Sequence, residues 1–92
     1  MNAPVPSPQV HYVTTDDGTV LLDVGQGRFY GLNPTGSTVW LLLLRGHDVE
    51  QITDHLAAGF DAPPDRVRAD VVTVVAQLCE RGLLLRRQGL TA

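Results

Sequence analysis

Gly27-Arg28-Phe29-Tyr30-Gly31-Leu32-Asn33-Pro34-Thr35-Gly36 is the stretch on which the fold turns. Arg28–Leu32 joins aromatic and apolar residues to a single charge, the composition of a half-buried strand. Asn33-Pro34 is a helix start: an Asn side chain accepts a backbone N–H at the N-cap, and Pro is pre-set for the first turn. A strand therefore runs straight into a helix. Upstream of this point the signals are β, and downstream they are α.

Working back, Gly25-Gln26-Gly27 reads as a turn and Val20–Val24 as a second strand. Asp16-Asp17-Gly18 is another turn, because Gly takes positive φ cheaply and Asp caps turns with its side chain. Val10–Thr15 is a first strand. Two tight hairpins give a three-stranded antiparallel meander. Pro4, Pro6 and Pro8 make residues 1–9 read as a flexible tail, since Pro removes backbone donors and blocks helix. Working forward, the first helix runs to about Arg45 and stops at Gly46. Asp48-Val49-Glu50-Gln51 is a capping-box variant that opens a second helix, with Val49, Ile52 and Leu56 on one stripe and its end near Gly59. Pro63-Pro64-Asp65 starts a third helix that ends at Arg81-Gly82. Leu83–Arg87 is then extended, and residues 88–92 form a C-terminal tail. The order β-β-β-α-α-α is an α+β fold.

The chain has 92 residues, enough for one domain with a small core. Hydrophobic residues are 43% and charged residues 18%, a globular mix. The net charge is −3 and all 7 basic residues are Arg, which argues against a broad nucleic-acid surface. Cys79 stands alone, so no internal disulfide framework exists, and a reducing cytoplasm is the expected compartment. The N-terminus lacks the basic and apolar regions of a signal peptide. The longest apolar run, Val39–Leu44, falls far short of the ~20 residues of a membrane helix.

Residue types that carry chemistry are sparse. Cys79 lies on an apolar helix stripe, the setting of an inert buried thiol. His11, His47 and His55 lack the tight spacing of metal ligands. Asp16-Asp17-Gly18 lacks the alternating acids of a calcium loop. Gly25-Gln26-Gly27 leads into a strand and offers no helix N-terminus to phosphate. Gly36-Ser37-Thr38 is no nucleophile elbow. The expectation is a protein that is not an enzyme, with no metal and no cofactor. Trp40 reads as a core anchor whose N–H needs a partner. Arg66, Arg68, Arg81, Arg86 and Arg87 crowd the last third, as a solvated face, a dock for an acidic partner or a weak DNA contact.

Two features exceed what a small domain requires. The third helix carries one apolar stripe at Val67, Val71, Val74, Val75 and Leu78, and a second at Val72, Ala76 and Cys79. Either two elements of the domain cover both stripes, or one of them walls a groove for an apolar partner. The third strand, Arg28–Leu32, is the second feature. It has one sequence-neighbour, a single charge to defend its outer edge, and Gly31, which lets another backbone approach. That edge is either covered by the tail or by Leu83–Arg87, or it is open to β-strand addition by a peptide.

The segment Gly27–Gly36, then Val39-Trp40, then Val67-Arg68-Ala69-Asp70-Val71, resembles the PqqD-like family of precursor recognition elements for ribosomal peptides, over about residues 10–85. The resemblance implies a winged helix-turn-helix-like fold with a three-stranded antiparallel sheet followed by three helices. It implies a domain over residues 10–87 that binds the leader segment of a precursor peptide as an added strand. Carried onto this chain, Arg28, Phe29, Tyr30, Gly31 and Leu32 would pair with the peptide. Val67, Asp70, Val71, Val74, Val75 and Leu78 would form the groove; read from the residues alone, Asp70 among valines is either a solvated helix position or a rim contact to a basic leader residue. The stand-alone length is most similar to the lasso peptide recognition proteins. That implies as partners a cysteine-protease-type leader peptidase and an ATP-dependent cyclase, and leaders offering a Tyr-x-x-Pro motif. Pro63-Pro64 departs from the usual Ser or Thr cap before the third helix.

Two rival readings are a small winged-helix DNA-binding regulator and an accessory domain that self-associates through the edge strand. The first would place polar base readers on its recognition helix, where this chain has Val71-Val72-Thr73-Val74-Val75.

Overall fold

Glycine turns and helix caps set the course of the chain. The computed structural model describes residues 4–59 and 61–85. In chain order the elements are β1 (Val5–Pro6), β2 (Val10–Thr15), β3 (Gly18–Asp23), β4 (Arg28–Leu32), α1 (Pro34–Leu44), α2 (Val49–Gly59), α3 (Pro64–Glu80) and β5 (Leu84–Leu85). The expected meander and helix order are both present. Arg86, Arg87 and the tail over residues 88–92 lie outside the described residues.

β2, β3 and β4 form an antiparallel sheet in that order. Tyr12, Leu21 and Tyr30 align across it on one face, and His11, Leu22 and Phe29 on the other. Leu21 is fully buried while Phe29 is 70% exposed, so the first of these faces the core. The turn into β4 is tied by Asp23, which is buried. Its carboxylate accepts the Gln26 N–H at 3.2 Å and its carbonyl the Gly27 N–H at 2.7 Å. β3 begins at Gly18 rather than at Val20. Gly18 holds φ +140°, and a Cβ there would collide with the Leu32 carbonyl oxygen, so only glycine lets the strand start this early.

α1 follows β4 as its sequence requires. Asn33 Oδ1 accepts the Gly36 N–H at 2.8 Å, and Gly46, at φ +87°, closes the far end. Its Val39 and Trp40 are fully buried beside Leu21 and Ile52. The Tyr12 ring meets the Trp40 indole edge-on at 6.2 Å. Trp40 Nε1 has no partner among the described residues, so the donor anticipated from the sequence stays unsatisfied. Thr19 and Ser37 share a buried hydroxyl–hydroxyl bond that fixes the sheet to α1.

α2 opens on the reciprocal bonds of a capping box, Gln51 N–H to Asp48 Oδ1 at 2.9 Å and Asp48 N–H to Gln51 Oε1 at 3.0 Å. α3 begins after Pro63, which gives no side-chain cap. It ends at Gly82 (φ +75°), where the Leu83 N–H returns to the Leu78 carbonyl at 2.9 Å. That return buries Leu83 and Leu84.

The tail reading of residues 1–9 needs correction over its middle. Val5 pairs with Leu85 and Pro6 with Leu84, and the Ser7 N–H donates to the Leu83 carbonyl at 3.0 Å. Proline is compatible with this because the pair is a two-stranded edge, where a missing donor faces no ladder. No helix among the described residues is long and apolar enough to cross a membrane.

Candidate peptide-binding site

β4 pairs with β3 on one side and, among the described residues, with no strand on the other. Val5–Pro6 and Leu84–Leu85 pair with each other as β1 and β5, away from this edge. Along β4, Tyr30 and Leu32 are half-buried against the core, while Arg28, Phe29 and Gly31 are exposed. Unpaired main-chain donors and acceptors are thus offered along an edge with one charge.

Beside this edge lies a cleft of about 170 Å³ between β4, the start of α1, and α3. Gly31, Leu32, Asn33 and Gly36 line one wall, and Val74, Gln77, Leu78 and Arg81 the other. A cavity of about 150 Å³ holds a benzene ring, so the cleft has room for one aromatic-sized side chain. Gly36 is part of the cap and of the wall at once. A Cβ there would stand 3.4 Å from Asn33 Oδ1 and 3.4 Å from Leu32 Cβ, close but ordinary contact. At one end of the cleft the Arg81 guanidinium stands 5.5 Å above the centre of the Tyr30 ring, a cation–π contact that links α3 to β4.

The expected groove residues on α3 divide between two faces. Val67, Val71, Val75 and Leu78 are all 5% exposed or less and form the helix's core face. Val74 is half-buried and lines the cleft, as does one side of Leu78. Asp70 is exposed, one helical turn before Val74. The structure therefore brings Gly31, Leu32, Val74 and Leu78 together at the cleft. It seats Val67, Val71 and Val75 behind it. Of the second apolar stripe, Cys79 packs against the core and Val72 stays 42% exposed.

Asn33, Gly36, Gln77 and Arg81 are the cleft residues the sequence reading passed over. Asn33 and Gly36 were explained by the helix start alone. Gln77 and Arg81 carried a signal, since they continue the Asp70–Val74 spacing along α3. The Arg-rich last third does not form one patch among the described residues. Arg68 Nε donates to Glu50 Oε2 on α2 at 2.7 Å, whereas Arg81 faces β4. No group of three potential metal ligands comes together among the described residues.

The model of the family described as coenzyme PQQ synthesis protein D (PqqD) matches residues 18–84. Among solved structures the chain is similar to TbiB1 in complex with the TbiA(beta) leader peptide, with 30% identity, 96% of this chain and 99% of that one covered, and a TM-score of 0.83. It is also similar to a lasso peptide synthetase B1 complexed with the leader peptide, at 29% identity, 87% and 94% coverage, and a TM-score of 0.81. No curated protein matches the chain.

Proposed function

The chain belongs to the PqqD family, and on that footing we propose that it binds the leader segment of a ribosomal precursor peptide without catalysing a reaction itself. The leader adds to β4 as a fourth strand. The observation that carries this is the edge of β4, unpaired among the described residues, beside a cleft lined by Leu32, Val74 and Leu78 together with Asn33, Gln77 and Arg81. The two similar solved structures, each a complex with a leader peptide, support it. Arg28, Phe29, Tyr30, Gly31 and Leu32 supply the pairing edge. Val74, Leu78 and Asp70 contact the peptide from α3, and Val67, Val71 and Val75 hold that helix in place from beneath. Residues 10–87 are the recognition domain, with β1 bound back onto β5.

The energetics ask for both edge and cleft. A few main-chain hydrogen bonds contribute ~1 kcal/mol each, about what ordering a flexible peptide costs at ~2–5 kcal/mol. Affinity then comes from apolar side chains, each worth ~1.5–3 kcal/mol on burial, and the cleft is where one is received. Held this way, the precursor is delivered to a cysteine-protease-type leader peptidase and an ATP-dependent cyclase of a lasso pathway, in the cytoplasm where ribosomal precursors are made. The DNA-binding rival is not favoured. α3, its would-be recognition helix, buries Val67, Val71 and Val75 in the core and turns Val74 and Gln77 to the cleft beside β4.

Fluorescence anisotropy with a labelled lasso leader peptide tests the reading. The wild-type chain is expected to bind, and Val74→Asp to weaken binding at least about tenfold, since a carboxylate replaces the apolar contact of Val74 and is desolvated by the bound side chain, at more than ~1.4 kcal/mol. Equal affinity in a folded Val74→Asp variant counts against the cleft.

A further inference from the structure

Resting on the peptide-binding reading above, we propose that α3 selects its peptide by charge spacing: Arg81 takes an acidic side chain, Asp70 a basic one, and an apolar side chain sits between them in the cleft. Asp70, Val74, Gln77 and Arg81 recur at i, i+4, i+7 and i+11, a single stripe of the helix. It is distinct from the stripe of Val67, Val71, Val75 and Leu78 that faces the core. Val74, Gln77 and Arg81 all line the cleft. The stripe thus runs acid, apolar, amide, base along one wall.

Neither terminal charge has an ion-pair partner among the described residues. The ion pair present among the described residues is Arg68 with Glu50, on the α2 side of α3. Arg81 is held at β4 by the Tyr30 ring, a contact that orients a guanidinium and leaves its charge free for a carboxylate. Asp70 is exposed on the same side as Val74.

The spacing follows from geometry. At ~1.5 Å rise per residue, Asp70 and Arg81 stand about 16 Å apart along the helix axis. An extended strand rises ~3.3 Å per residue and turns alternate side chains to one face, so the matching peptide charges lie roughly four or six residues apart. The partner is therefore an extended peptide with one acid and one base at that interval around an apolar anchor.

A displayed library of random peptides long enough to pair along β4, selected on the full chain, tests this. Wild type is expected to enrich an apolar residue flanked by an acidic and a basic position at that interval, each charge favoured about two- to fivefold. Arg81→Glu should turn the acidic preference basic and leave the apolar preference in place. Arg81→Met, an unbranched side chain without the charge, should abolish the acidic preference alone. Asp70→Lys should turn the other position acidic. Apolar enrichment without any charge preference, or preferences unmoved by these variants, overturns the charge-spacing proposal and leaves the binding reading standing. Absence of any enriched peptide, or enrichment that persists in Val74→Asp, overturns both.

Discussion

A Cβ built on Gly31 meets no atom within 4 Å, although the residue sits in the middle of β4 and its φ is ordinary for a strand. Nothing inside the domain requires glycine there, in contrast to Gly18, whose Cβ would strike the Leu32 carbonyl. Glycine in a strand interior weakens it by roughly 0.5–1 kcal/mol. A side chain there would stand with Val20 and Phe29 on the face of the sheet away from the core, while the Gly31 backbone lines the cleft. Gly31→Val should therefore separate two properties that usually fall together. Denaturant unfolding is expected to show stability unchanged or raised by up to ~1 kcal/mol, as a β-branched side chain settles opposite Val20. Leader titration should show affinity within about twofold of wild type, because the new side chain stands on the face away from the cleft. A variant that is destabilised yet binds normally would mean that Gly31 serves the fold alone.

At the scale of elements, α3 is where one helix serves two tasks. Its core face and its cleft face are adjacent, and the valines on them look alike in sequence. Val71 is 1% exposed, so Val71→Ala should cost about 2 kcal/mol in thermal or chemical unfolding, from two lost methyl groups and the space they leave. Because Val71 faces away from the cleft, leader affinity at low temperature, where the chain stays folded, should move less than twofold. A large affinity loss without a stability loss would place Val71 in the site itself. The contrast also shows what was legible beforehand. β4, α1 and α2 could be read because their determinants are local: Asn33 caps within three residues, Asp48 and Gln51 cap each other, and Gly27 and Gly46 take left-handed turns. The division of α3 could not be read, because whether Val74 or Val75 faces the core depends on where α2 and β4 lie, a relation between distant segments. The β1–β5 pair was hidden for the same reason, since prolines that look like a tail in isolation become an edge strand only beside Leu84 and Leu85. Of the proposed site, the strand over residues 28–32 was legible, whereas the place of Arg81 beside it required the ring of Tyr30 to be placed beneath it.

At the scale of the whole molecule, size makes binding and folding hard to separate. Folded proteins hold ~0.05–0.15 kcal/mol per residue, so a chain this short is stable by only about 5–14 kcal/mol. A ligand that binds only the folded state adds RT ln(1 + [L]/Kd), about 2.7 kcal/mol at a hundredfold excess over Kd. That is a large share of the total for a chain of this size. Each kcal/mol moves the melting temperature of a domain of this size by ~4–8 °C. Saturating leader peptide is thus expected to raise Tm by roughly 10–20 °C in differential scanning fluorimetry. The same peptide should leave Val74→Asp nearly unshifted, while Val71→Ala, starting from a lower Tm, should recover a shift close to that of wild type. Random duplex DNA at low salt should produce no shift, as a net charge of −3 and a buried valine face on α3 imply. A shift with DNA and none with leader would restore the regulator reading. A leader shift that survives Val74→Asp would move the binding surface away from the β4–α3 cleft.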